Sequence, residues 1–144
     1  MSKQEQLGVH VAHDVRMLRE TFAALSAPHP PAVAEALGDA FCLRARNLID
    51  FFKLERKRDD EILASDFTAA QYRPVHITTL PEDIPRRLVK QLAPLNGRRT
   101  AEERKRIGSD VHAQIFEAID QEIRLFETRL DEESKAIWRA RTGA

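Results

Sequence analysis

Apolar residues recur at steps of three and four along most of this chain, and the breaks in that rhythm fall at proline, glycine or dense charge. Leu7, Val11, Val15, Leu18, Phe22 and Leu25 mark an amphipathic helix over about residues 4–26, which Pro28, Pro30 and Pro31 end. The short Pro28-His29-Pro30-Pro31 run reads as a tight connection, with Pro31 near the start of the next helix. That second helix is expected over about residues 31–57, with Val33, Leu37, Phe41, Ala45, Leu48 and Phe52 as its main stripe. Ile49, Phe51 and Leu54 widen the stripe, so this helix should be central and touched on more than one side. Gly38 interrupts it at a cost of about 1 kcal/mol relative to Ala, unless close approach of another helix requires it.

Helical rhythm lapses over about residues 58–82. The run from Glu55 to Glu61 reads as a solvated helix end and turn, and the remainder as a long ordered loop anchored by Phe67, Tyr72 and Ile77. Val75–Thr79 could be a short extended piece, although an isolated strand is unstable alone. A third helix is predicted over about 83–93, with Pro85 in its first turn and Pro94 and Asn96-Gly97 after it. Thr100 and Glu103 fit a capping box for a helix from about 101. Gly108-Ser109 either interrupts that helix or is carried through it, and a strong period then runs from about 109 to 140 through Val111, Ile115, Ile119, Ile123, Phe126, Leu130 and Ile137. Trp138 either packs locally or forms a dimer contact. Together these elements predict an all-α, single-domain, up-down bundle of four or five helices spanning residues 1–144, with the long loop between helices 2 and 3.

Composition changes this picture little. Lys+Arg and Asp+Glu both number 23, so net charge gives no pull toward nucleic acid or membrane. The only cysteine, Cys42, has no internal disulfide partner and reads as a packed small hydrophobe in a reducing cytoplasm. The polar N-terminal residues lack a signal-peptide core, and no apolar run is long enough for a bilayer, so no membrane association is expected.

Polar residues on apolar faces say more. At about 100° per residue, Asp14 falls between Leu7, Val11 and Leu18. Arg44 falls beside Leu37, Leu48 and Phe51, Asn47 at the edge of the same arc, and His112 beside Ile115 and Ile119. A buried charge needs a partner, which makes Asp14 and Arg44 an expected pair. That pair is either an ion pair fixing the register of the first two helices, or part of a polar cluster holding Asp14, Arg44, Asn47 and His112. His10 and His13 lie on neighbouring turns, but a metal site needs further ligands and neither belongs to a metal signature. No metal or cofactor is expected. His29 and His76 fall in loops, where solvation is the natural reading.

Three strings carry a resemblance: His13 to Phe22, Arg44 to Phe52 and Asp59 to Phe67. They resemble a group of uncharacterised bacterial helical proteins that are similar in layout to the HEPN superfamily of small helical bundles. Many members of that superfamily dimerise, and some are ribonucleases that use an Arg and a His four to six residues apart. Arg106 and His112 have that spacing, although Ile107 stands where a polar residue is usual and Gly108-Ser109 lies between the two. Carried over, the resemblance implies metal-independent RNA cleavage with His112 as general acid or base and Arg106 stabilising charge on the phosphate. The leading expectation is a non-catalytic helical module acting through homodimerisation or partner binding. The alternative is a HEPN-like ribonuclease of a toxin or defence type, with RNA as its partner.

Overall fold

The computed structural model describes residues 1–69, 71–91 and 108–143. Among these the protein is all-α, and the only β-type pairing is an isolated bridge between Thr68 and Leu130. The first helical segment comprises α1 (Lys3–Gln6), a π turn (Leu7–Val11) and α2 (Ala12–Leu25). Ser2 starts it: its hydroxyl accepts from the Glu5 N–H at 3.1 Å while the Glu5 carboxylate accepts from the Ser2 N–H at 3.3 Å. The π turn has a packing reason. Leu7, Val11 and Val15 are four residues apart, and each such step drifts about 40° on an ordinary helix. The wider turn takes up part of that drift, and all three side chains are buried.

Helix α3 (Pro31–Phe52) buries Phe41, Cys42, Ala45, Leu48, Phe51 and Phe52. Its contacts reach α2, α4 and the helix that begins at Ser109, as expected of a central helix. It stops at Phe52, five residues before the predicted end, because the charged run folds back on itself. Lys53 pairs with Glu61, the Lys57 N–H donates to the Glu61 carboxylate at 2.8 Å, and the Arg56 guanidinium donates to both Asp66 oxygens at 2.5 Å. Two 3-10 turns follow, Ala64–Asp66 and Ile77–Thr79, and then α4 (Ile84–Gln91), which buries Ile84 and Leu88. Phe67 and Tyr72 are buried and Ile77 is half-buried. The predicted stop at Pro94, the capping box at Thr100 and Glu103, and Arg106 lie outside the described residues.

Gly108 has extended backbone and caps the next helix, α5 (Ser109–Arg129), so Gly108-Ser109 is a helix start. The single helix predicted over 109–140 is in fact two. Leu130 leaves helical geometry, and Asp131 caps α6 (Glu132–Thr142) by accepting from the Ser134 N–H at 2.8 Å. The break is held from outside, because the Ala69 N–H donates to the Arg129 carbonyl at 3.0 Å and the Asp131 N–H to the Phe67 carbonyl at 2.9 Å. Turning the chain here brings Trp138 edge-on to Phe126, with ring centres 5.5 Å apart. Its indole N–H donates to Glu127 at 2.8 Å, so Trp138 packs within the molecule. Phe51, Phe52 and Tyr72 also meet Phe126, which makes Phe126 the hub of an aromatic cluster below α3.

Candidate functional site

The inward polar residues separate into distinct places. Asp14 from α2 meets Arg44 from α3, with Nη1 to Oδ1 at 2.8 Å and side chains 16% and 25% exposed. The Arg44 Nε–H is buried and has no hydrogen-bond partner among the described residues. The contact ties together the two helices that pack most extensively against each other. Asn47 is exposed on α3 and so is not part of a buried cluster. At about 100° to 160° around the helix from Leu48, Phe41 and Ala45, it falls on the outer side of the helix.

His112 sits in the first turn of α5, half-buried, against a different side of α3. Its ring lies edge-on to Phe41 with centres 5.1 Å apart, and its Nε2 is 3.9 Å from the Cys42 sulfur. Burial pushes the imidazole pKa down, against an opposing pull from the Asp110 charge. His112 therefore rests as a neutral ring beside a buried thiol. The structure brings Asp14 and Arg44 together, places His112 with Cys42, and leaves Asn47 at the surface.

Two buried carboxylates escaped the sequence reading. Glu122 is fully buried on α5. One of its oxygens accepts from the backbone N–H groups of Val75, His76 and Ile77 at 2.8, 2.7 and 3.1 Å, and the other accepts from the Tyr72 hydroxyl at 2.9 Å. Burial, the Glu122 charge and that hydrogen bond push the Tyr72 phenol above its ordinary pKa. A fixed negative charge thus holds the start of the Ile77–Thr79 turn, as a capping residue holds a helix start. His76, expected to be solvated, is half-buried by the same arrangement. The signal was present, since Ile115, Ile119, Glu122 and Phe126 recur at steps of four, three and four. Asp120 lies beside this stripe and accepts from Arg19 of α2 at 2.9 Å and from Arg124 at 3.1 Å.

A groove of about 390 Å³ runs between α2 and the end of α6. His13, Arg16, Arg19 and Arg141 edge it, with Glu20 as the acidic member, over a floor that includes Ala12. Arg16 donates to His13 Nδ1 at 3.1 Å, which uses the imidazole as a neutral acceptor. Gly8 in the π turn lets α6 come close, because a Cβ there would stand 3.2 Å from the Ile137 side chain and 3.4 Å from that of Arg141. Among the described residues no group of three or more His, Cys, Asp or Glu side chains is placed to hold a metal ion, and no helix is long and apolar enough to cross a membrane. Comparison with protein-family models, with curated proteins and with solved structures finds no match.

Proposed function

We propose that this protein is a non-catalytic helical module that acts by pairing with a second copy of itself. On this reading the chain is one up-down bundle with a long ordered loop between α3 and α4, working in a reducing cytoplasm that suits the single buried thiol. The observation that supports it is the outer face of α3. Leu43 is 38% exposed there and Val33 45% exposed, beside the exposed Ala32, Ala36 and Asn47. The large buried acids of the interior are meanwhile occupied by internal partners, Glu122 by the loop and Asp120 by two arginines. Leu43 lies near the middle of α3, so a two-fold axis passing there would set each Leu43 against its equivalent while Ala32 and Ala36 let the backbones approach. Sedimentation velocity from low to high micromolar protein tests this. A concentration-dependent dimer in the native chain and a monomer in Leu43→Glu, with unchanged helical circular dichroism, is the expected result. A native chain that stays monomeric throughout removes the reading.

A HEPN-like ribonuclease remains the second reading, and the observation favouring it is the neutral, half-buried His112 at a helix start, a form suited to accept a proton. Cleavage of RNA by the native chain that is lost in His112→Ala would support it. Equal cleavage by both proteins, or none by either, would end it.

A further inference from the structure

The groove beside the π turn brings charged and apolar surface together. Arg19 is held by Asp120, but Arg16 and Arg141 form no ion pair among the described residues. Arg16's hydrogen bond goes to an imidazole rather than to a carboxylate. The groove also abuts a second hollow of about 280 Å³, and the two share Gly8, Val9 and Arg141 as lining. That second hollow is largely apolar, with Ile137 and Ala140 on its α6 side. Val9, 41% exposed, stands where the two meet.

We propose that this double groove binds a small amphipathic organic anion. Its acidic head, a carboxylate, sulfonate or phosphate, would lie against the Arg16 and Arg141 guanidiniums, whose planar forks match such groups. Its apolar part would lie over Val9 toward Ile137 and Ala140. The first hollow alone falls within the size range of small-ligand sites, and its arginines are the polar groups that would fix the orientation. A neutral ligand would leave both arginines without use, and an inorganic anion would leave the apolar hollow empty. The site lies on the first helical segment, π turn included, and on α6, and shares no residue with the outer face of α3, so it stands or falls apart from self-pairing.

The test uses two fluorescent probes on the intact chain: 1-anilinonaphthalene-8-sulfonate, and N-phenyl-1-naphthylamine, which lacks the sulfonate. The anionic probe should bind with saturable one-to-one stoichiometry. Its Kd should rise about tenfold or more in the double variant Arg16→Gln, Arg141→Gln, since charge-assisted contacts are lost. The Kd of the uncharged probe should change less than about twofold, because its contacts are apolar. Both arginines are exposed, and helical circular dichroism checks that the variant folds. Displacement of the bound probe by sodium decanoate would assign the apolar part as a chain, and displacement by 1-naphthoate as a ring. Unsaturable binding, an anionic probe indifferent to the double substitution, or displacement by neither acid overturns the proposal.

Discussion

Removing the Glu122 carboxylate should release the segment around Tyr72–Ile77 from the body of the protein. Glu122 accepts four hydrogen bonds inside the fold, three of them from consecutive backbone N–H groups. Glu122→Ala leaves those donors without an acceptor, at about 1–3 kcal/mol for each that stays buried. The costs do not add fully, because Val75 is 54% exposed and a loosened loop can turn its N–H groups to water. A total near 3 kcal/mol is the reasonable expectation, or a fall in Tm of roughly 10 °C for a chain of this size. Glu122→Gln is the informative companion. Its amide oxygen can still accept the three N–H groups, and the Tyr72 hydroxyl can rotate to accept from the amide nitrogen. Four bonds then survive without charge assistance, while the cost of burying a charge disappears, so the loss should be only about 1 kcal/mol. Urea denaturation of the three proteins gives the stability differences. Amide exchange of Val75, His76 and Ile77 locates them: it should be fast in the Ala variant and near native in the Gln variant. If Ala and Gln lower stability equally, or if exchange at these three amides is unaltered by Ala, the carboxylate is not what holds the loop.

Other expectations follow from particular contacts. A double-mutant cycle with Asp14→Ala and Arg44→Ala should return a coupling of about 1–2 kcal/mol, between surface and fully buried pairs, and a coupling near zero would make the contact incidental. Gly38→Ala should stabilise α3 by about 0.5–1 kcal/mol, because the new Cβ would meet only the His112 ring, at an ordinary 3.6 Å; a lower Cm would show that the ring cannot give. The Lys53 hydrogen bond, with the Lys57 N–H, pulls the Glu61 pKa down to about 2 from 4.5, so its support of the 53–61 turn is complete above about pH 4.5 and lost as pH falls toward 2; amide exchange at Lys57 across that window reports it. Burial depresses the His112 pKa, so its contribution to stability is full above 6.5, the unfolded value, and declines as the pH falls; a proton NMR titration placing it at or above 6.5 would contradict the packing described.

How far the sequence reaches can be seen residue by residue. The all-α class was legible because four stretches keep one helical period, and the central place of α3 followed from the width of its apolar arc. The Asp14–Arg44 contact was legible for a different reason: each residue stands among core positions of its own helix, and opposite charges in such places need each other. Asn47 sits at the margin of that arc, where a small change in helix rotation decides between core and solvent. The end of α3 at Phe52 depends on ion pairs with Glu61 and Asp66, which no periodicity encodes. The break at Leu130 was missed because Ile123, Phe126, Leu130 and Ile137 continue one stripe through it, while the Asp131 cap and the bridge to Thr68 act across that stripe. Glu122 was missed by residue type alone, since its position in the apolar stripe is as regular as that of Ile119.

Glu122 and the arginines of the groove show why charge read along a chain is a poor guide to where a charged side chain ends up in the fold. A carboxylate on a core stripe must find donors inside the fold, so its burial marks an anchor. Arg16 and Arg141 sit outside every stripe and look like ordinary solvated cations, yet the π turn and Gly8 bring α2 and α6 together so that both edge one hollow. The geometry that makes the candidate site is therefore set by Leu7, Val11 and Val15 competing for the core, which forces the wide turn. Substitutions at Arg16 or Arg141 should leave stability within about 0.5 kcal/mol while changing anion affinity. Substitution at Gly8 should do the reverse in order of cause, moving α6 first and the affinity with it. A Gly8→Ala protein of native Cm and native probe affinity would show that the close approach of α6 is not what builds the groove.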